Sequence, residues 1–279
     1  MSSAASALKR SIRDSVARLG LGGVALGSIA ILAPFDPRAV IANARYRRHG
    51  APDRLPIPPS KLVVAVAGTA DVAWFLKGGE LAAASISDVL RSHQVDISTL
   101  GVILDFGAGC GRVVRYWSGL NQTRVCATDY NSELIDWCRL NLPFVHAEVN
   151  RLEPPLGYQD GQFDLVYALS VFTHLTEGLQ LAWMAELTRV LKPGGHLVLS
   201  VHGDAYRGRL NADELRRFDS GRLVVKNDTR APGTNACAAY HPPAYVRDTL
   251  ASGLELLDFI PEGARGNPRQ DLHLLRKGL

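Results

Sequence analysis

Strand and helix signals alternate along this chain, which predicts an α/β fold built on a parallel sheet with right-handed crossovers. Three observations carry that prediction. The apolar run at 102–104 ends in Asp105-Phe106-Gly107-Ala108-Gly109-Cys110-Gly111 and gives way to a helical stripe at Val113, Val114 and Trp117, the pattern of strand, glycine turn and helix. Short apolar runs recur at 123–128, 143–147, 163–169 and 196–201, with helical patterns interspersed. The 279 residues, 47% of them hydrophobic, suffice for one large core with appendages or at most two domains.

Residues 1–60 read as a basic, partly apolar arm closing in a linker marked by Pro52, Pro56, Pro58 and Pro59. They hold nine Lys/Arg against Asp14, Asp36 and Asp53, a surplus of six, so the remainder carries −2 within the whole chain's +4. A basic arm on a weakly acidic body argues against nucleic acid bound across that body. Residues 19–35 carry no charge but fall short of the ~20 apolar residues of a membrane span. They also contain Gly20, Gly22, Gly23 and Gly27 and are followed by no small-residue cleavage site. Residues 9–35 are therefore read as a loosely packed or partner-binding arm, with membrane-surface contact as the alternative. Cys110, Cys126, Cys138 and Cys237 form no C-x-x-C pair and no metal-like spacing. They are read as free thiols in a reducing cytoplasm, and no metal is expected.

Residues 61–279 are the expected catalytic domain. A short apolar run at 63–67 breaks at Gly68, and Gly78-Gly79 separates residues 71–76 from a helix over 80–93. Either Trp74 or Phe75 belongs to the core, and His93 is a helix-end residue rather than a ligand. Past the glycine turn, the strand at 123–128 ends at Asp129, and Asn131 or Ser132 caps a helix with Leu134, Ile135 and Cys138 inside. Strands follow at 143–147 and 163–169. The stripe Leu179, Trp183, Leu187, Val190, Leu191 is a helix stopped by Lys192-Pro193-Gly194-Gly195, and a strand runs over 196–201. Residues 202–242 are too long and polar for a simple connection and read as a lid. A helix at 244–252 and strands at 254–260 and 271–276 complete the chain. Ligands of such a sheet bind beyond the carboxyl ends of its strands. Those ends carry residues 105–109, Asp129, the Asn150 region, Ser170 to His174, and His202.

Glycines at 107, 109 and 111 suit positive φ and close ligand approach. A dinucleotide fingerprint G-x-G-x-x-G counted from Gly107 would need its third glycine where Arg112 stands, which disfavours an NAD-type oxidoreductase.

The ordered set Leu104-Asp105-Phe106-Gly107-Ala108-Gly109-Cys110-Gly111-Arg112, then Asp129, then Phe163-Asp164-Leu165-Val166-Tyr167, then Leu187 through Leu197 resembles the class I S-adenosylmethionine-dependent methyltransferases. The resemblance covers about residues 80–201 firmly and the tail more loosely. Val66 to Ala70, Ser170 to Leu175 and Gln270 to Leu272 further resemble a bacterial methyltransferase-domain subgroup of unassigned substrate. It implies a Rossmann-like, doubly wound seven-stranded sheet, mostly parallel with an antiparallel final strand. It implies S-adenosylmethionine as cofactor and methyl transfer to a small-molecule or sugar/lipid-linked acceptor, with a silent cofactor-binding module as the alternative.

The cofactor residues so implied are Asp105, Gly107, Ala108, Gly109, Gly111, Asp129, Tyr130, Asn150, Leu152 and Ser170. Asp129 would accept from the ribose hydroxyls, and Asp105 would order the turn and the methionine amine. Asn150 stands where the family commonly has an acid and would meet adenine, with Leu152 walling the ring. His174, after the fourth strand, is the expected catalytic residue and acceptor-site wall; His202 and His241 are its rivals as base. Arg207, Arg209, Arg216, Arg217 and Tyr240 would cover the acceptor, although a solvated charged face explains the arginines as well.

Overall fold

The inner parallel strands feed two large hydrophobic cores. In β1 (Val102–Phe106), Ile103 packs into one core and Leu104 and Phe106 into the other. In β4 (Phe163–Ala168), Leu165 and Tyr167 oppose Val166 and Ala168 in the same way. Alternating side chains on a strand covered on both faces give the near-continuous apolar runs of the sequence. The computed structural model describes residues 37–226, 232–234, 236–267 and 269–279; the apolar segment 19–35 lies outside them.

The parallel set is completed by β2 (Arg124–Asp129), β3 (Val145–Val149) and β5 (Leu191–Val201). A two-stranded antiparallel ribbon, β6 (Val224–Lys226) and β7 (Ala238–Tyr240), stands apart. β8 (Leu254–Ile260) and β9 (Asp271–Lys277) close the main sheet, with β9 antiparallel to both β5 and β8. The order is β3-β2-β1-β4-β5-β9-β8, the doubly wound seven-stranded sheet with an antiparallel final strand. Winding reverses on either side of β1, so the switch point lies at its carboxyl end, where the glycine turn begins.

The helices depart from the sequence reading in instructive places. The apolar run at 63–67 belongs to α3, Ser60–Ala67, which ends at Gly68 in the left-handed conformation; α1 (Pro37–Ala42) and α2 (Ala44–His49) precede it. The next helix, α4, starts at Val72 and runs through Gly78-Gly79 to Ser92, capped by the Asp71 carboxylate on the N–H groups of Ala73 and Trp74. A Cβ on Gly79 would lie 2.0 Å from the Arg112 carbonyl oxygen. The glycine pair is thus a close-packing point rather than a breaker. Phe75 is fully buried and Trp74 is 41% exposed. The helix expected from Val113 is only a 3-10 turn, Val114–Trp117; its apolar stripe is one turn long, and Ser118-Gly119 follow it.

α5 (Ser132–Asn141) and α6 (Glu177–Val190) are capped by Asn131 and Thr176. β5 begins at Leu191 rather than 196, because Leu191 already pairs with Phe163 across an irregularity in the ladder. In the region 202–242, α7 (Ala212–Asp219) opens with a capping box between Asn211 and Glu214. With the ribbon it builds a small core of its own from Tyr206, Phe218, Val224 and Tyr240. The segment expected as a helix over 244–252 is a short α turn, Pro243–Tyr245, continued as a π turn to Leu250.

Residues 37–59 are seated on the body. Asn43 donates to the Ala70 carbonyl and accepts the Val72 N–H. Asp53 grips the fully buried Arg115 with two bonds of 2.5 and 2.9 Å. All four cysteines are buried and free. Among the described residues no group of side chains is arranged to hold a metal, and no single helix is long and apolar enough to cross a membrane.

Candidate cofactor and acceptor site

The turn after β1 is held from inside. Gly107 and Ala108 donate their N–H groups to the Thr128 carbonyl at 2.8 and 2.9 Å, Gly109 donates to Asp129, and Gly111 donates to the Ala108 carbonyl. Gly107, Gly109 and Gly111 all have positive φ, as a left-handed turn requires. Their missing side chains are also spatial requirements. A Cβ on Gly107 would strike Val171, one on Gly109 would strike Val66 of α3, and one on Gly111 would strike Leu142. Gly111 therefore faces the packing against α5, while Val66 and Val171 close in on the two glycines before it.

Asp129 ends β2, 9% exposed. One carboxylate oxygen accepts the Gly109 N–H and the other the Asn131 N–H, each at 2.9 Å. Burial pushes its pKa up, and the N–H groups of Asn131 and Gly109 oppose that. Each oxygen keeps further acceptor capacity. Asn150 follows β3 and donates its N–H to the Asp129 carbonyl. Its side-chain amide donates to the Arg151 carbonyl at 2.6 Å, which fixes the amide orientation and leaves Oδ1 buried without a partner. Leu152 is pinned by the Trp183 indole on its carbonyl at 2.9 Å. Tyr130 is 41% exposed beside it, and Gly233 crosses both residues: a Cβ there would meet Leu152 at 2.8 Å and Tyr130 at 3.5 Å.

Asp105 is 4% exposed, and its Oδ2 has no partner. Burial raises its carboxyl to about 7, against the opposing hydrogen bond from Tyr167 and the charge of Arg112. Tyr167 is in turn held by the Trp117 indole at 2.8 Å. Arg112, which occupies the position of a third dinucleotide glycine, reaches Gly266 and Asn267 and ties the loop before β9 to the turn.

Beyond β4, Ser170 adopts φ +62° without being a glycine, a costly conformation of the kind that collects at functional sites. A network holds it there: its N–H donates to Ser200 Oγ, Ser200 donates to Gln270, and Gln270 donates to Ser170 Oγ, all within 2.7–2.8 Å. His174 and His202 then meet edge to face at 6.4 Å between ring centroids. Both are held by carbonyls of the region 202–242: Nδ1 of His174 lies 2.9 Å from the Cys237 oxygen and Nδ1 of His202 lies 3.0 Å from the Ala239 oxygen. A carbonyl only accepts, so both Nδ1 atoms carry the hydrogen. Burial lowers the pKa of both rings, that of His202 to about 4, so the rings are neutral and each Nε2 is a bare acceptor. His202 also lies against Tyr206 and Tyr240, at 4.1 and 5.5 Å. His241 is fully buried and engages Gln180 through Nε2. Arg207 pairs with Asp219 and Arg216 with Asp213, so these two arginines are spent locally.

The sheet brings the turn, Asp129, Tyr130, Asn150, Leu152, Ser170 and His174 to one rim. Sequence reasoning missed Ser200, the Cys237 and Ala239 carbonyls, and the Asp53–Arg115 clamp. Gln270 stood inside a quoted motif but carried no role.

A family model described as a methyltransferase domain matches residues 104–199. A glycine/sarcosine/dimethylglycine N-methyltransferase from Actinopolyspora halophila is 34% identical over 195 aligned positions; the match covers 64% of this chain but only 30% of that protein. Two solved structures share the fold. A methyltransferase from Methanosarcina mazei is 21% identical, with TM-score 0.52, over 68% of this chain and 97% of its own. The 1,6-didemethyltoxoflavin-N1-methyltransferase of Burkholderia thailandensis, solved with that compound and S-adenosylhomocysteine, is 20% identical with TM-score 0.52, over 78% of this chain and 85% of its own. Residues 104–199 therefore match a methyltransferase domain, and the fold is that of the class I S-adenosylmethionine-dependent methyltransferases.

Proposed function

We propose that the protein transfers the methyl group of S-adenosylmethionine to a small-molecule acceptor at the rim between the glycine turn and His174. One observation carries this reading: the rim offers unused acceptors, Asp105 Oδ2 and Asn150 Oδ1, on either side of the Asp129 carboxylate. These suit a ligand that brings donors, namely an ammonium for Asp105, ribose hydroxyls for Asp129 and an exocyclic amine for Asn150. A pyrophosphate would instead need free N–H groups, and those of Gly107, Ala108, Gly109 and Gly111 are all committed within the fold. That opposes the dinucleotide reading.

Bound S-adenosylmethionine would supply a methyl group already activated on a sulfonium. The protein's part is alignment and the exclusion of water. Gly233 and the ribbon close the rim from above, with the Gly233 N–H donating to the His174 carbonyl at 2.7 Å. His174 Nε2 receives the proton that a hydroxyl or N–H acceptor must shed, while Nδ1 stays on Cys237. Tyr206 and Tyr240 wall His202 on the acceptor side. The division of labour we propose is an N-terminal arm, a methyltransferase body from residue 61, and residues 202–242 as the acceptor lid. The N-methyltransferase relative makes small amines the first acceptors to try. Calorimetry with S-adenosylmethionine and with NAD, followed by detection of S-adenosylhomocysteine release with an amine and hydroxyl panel, tests this reading. Binding of NAD alone would end it, and cofactor binding without turnover on any acceptor would favour a silent module.

A further inference from the structure

A closed ring of hydrogen bonds joins β4, β5 and β9 at the rim. The Ser170 N–H donates to Ser200 Oγ at 2.8 Å, the Ser200 hydroxyl donates to Gln270 Oε1 at 2.7 Å, and Gln270 Nε2 donates back to Ser170 Oγ at 2.8 Å. Each direction is fixed by its neighbour. Ser200 is fully buried and gives its hydrogen to Gln270, so the reversed amide would leave that hydroxyl without its acceptor. Gln270 is 4% exposed, and its backbone is pinned by its N–H on the Asn267 carbonyl and by its own carbonyl on the Ala264 N–H. The Ser170 oxygen therefore accepts from Gln270, and the Ser170 hydroxyl hydrogen is left over. Within the fold it meets Thr173 Oγ1 at 3.4 Å, beyond the ordinary range of a hydroxyl donor. The hydrogen of Thr173 is itself committed to the Ser170 carbonyl at 2.9 Å.

Of the three residues, Ser170 alone is partly open to solvent, and it holds φ +62°. A glycine would take that φ without cost, so what a serine adds at this position is its hydroxyl. β1, β2 and β3 carry Asp105, Asp129 and Asn150 on one side of the switch point, whereas β4 and β5 lead to Ser170, His174 and His202 on the other. Val171, next to Ser170, lies against Gly107, and His174 ends the 3-10 turn that follows. We infer, resting on the reading of the rim as the methyl-transfer site, that Gln270 is a positioning residue: it holds the Ser170 hydroxyl as a donor toward a carbonyl-type oxygen of the methyl acceptor. The acceptor so selected carries that oxygen, from a carboxylate, amide or ketone, beside the N–H or O–H whose proton His174 receives.

The test compares matched acceptors with and without the oxygen: glycine with methylamine, glycinamide with ethylamine, and hydroxyacetone with propanol. S-adenosylhomocysteine release by the full chain gives kcat/KM, and the ratio of wild type to variant cancels the intrinsic reactivity of each nucleophile. Ser170→Gly should lower kcat/KM about tenfold on the oxygen-bearing member of a pair and leave the other member within about twofold. The calorimetric dissociation constant of S-adenosylmethionine should stay within about twofold. Gln270→Glu separates positioning from support. An ionised carboxylate only accepts, so it draws the Ser170 hydrogen inward, whereas the protonated acid donates as the amide does. Relative to wild type at each pH, its deficit on the oxygen-bearing member should widen as pH rises and close as pH falls, with cofactor affinity unchanged. A merely structural role would not move that way. Glycine relieves the strained φ, so Ser170→Gly should fold even where a buried carboxylate at 270 prevents folding. Equal losses on both members of a pair, a pH-independent deficit in Gln270→Glu, or a loss of cofactor affinity in place of acceptor efficiency would overturn the proposal and leave the rim reading in place. So would wild-type turnover confined to acceptors that lack the oxygen. No release from the wild type on any pair or elsewhere in the amine and hydroxyl panel would remove the rim reading and this proposal with it.

Discussion

Asp129 accepts the N–H of Gly109 at 2.9 Å, twenty positions away along the chain. The acid proposed to hold the ribose is therefore also a strut of the glycine turn. Asp129→Ala removes a charge-assisted bond to the cofactor worth about 1.5–3 kcal/mol, so affinity for S-adenosylmethionine should fall about ten- to a hundredfold by calorimetry. It also leaves a buried N–H without its acceptor, so urea unfolding should show a loss of about 1–3 kcal/mol. Asp129→Asn keeps one carbonyl oxygen and should fall between the two proteins on both measures.

If Asp105 holds the cofactor's ammonium as proposed, cofactor affinity should depend on pH. Its carboxyl titrates at about 7 in the fold against an ordinary value of 3.8. An ammonium ligand needs the carboxylate, so affinity should drop as pH falls below about 7, and Asp105→Asn should flatten that slope. Stability moves the other way. The folded protein holds this proton more tightly than the unfolded chain, so the stabilisation is complete below 3.8 and is lost as pH rises through about 7. His202 and His273, lowered from 6.5 to about 4, oppose it by costing stability as pH falls through that window. The difference between wild-type and Asp105→Asn unfolding curves at pH 5 and pH 8 isolates the Asp105 share.

His174→Gln should reduce turnover on hydroxyl and N–H acceptors by about 10²–10⁴ while leaving the cofactor dissociation constant unchanged. The same substitution at His202 is the control for its rival. If His202→Gln alone abolishes the acidic limb of the pH–rate profile, the base is His202. Full turnover in both variants removes the general base from the mechanism.

Asp53→Ala should strip the one carboxylate that, among the described residues, pairs with a fully buried guanidinium, costing about 3–5 kcal/mol in urea unfolding. Adding Arg115→Leu should recover much of the loss, because the uncompensated charge leaves with it. A single-variant loss below about 1 kcal/mol would mean that the strap releases easily and Arg115 finds water.

Elements with strong local periodicity were legible in the chain. β1, the glycine turn, Asp129 at the end of β2 and the stripe of α6 each announce themselves within a dozen residues. Gly78-Gly79 misled for a reason that is not local: its helix continues because the Arg112 backbone presses on it from another part of the chain. The stripe after Gly111 misled because one apolar turn looks the same whether a helix or a 3-10 turn follows. Trp74 and Phe75 are adjacent, and only packing separates the exposed ring from the buried one.

By itself, then, the sequence determined the parallel sheet and the kinds of group along the rim, since burial on two faces and turn chemistry are written in neighbouring residues. The tertiary structure decided which of those groups stay free. Asp129 and the glycine turn satisfy one another, Ser170 is held by Ser200 and Gln270, and the tautomers of His174 and His202 are set by the Cys237 and Ala239 carbonyls more than thirty residues away. A hydrogen-bonding group serves a ligand only with the capacity its fold leaves unused, and that remainder depends on partners the local sequence does not contain.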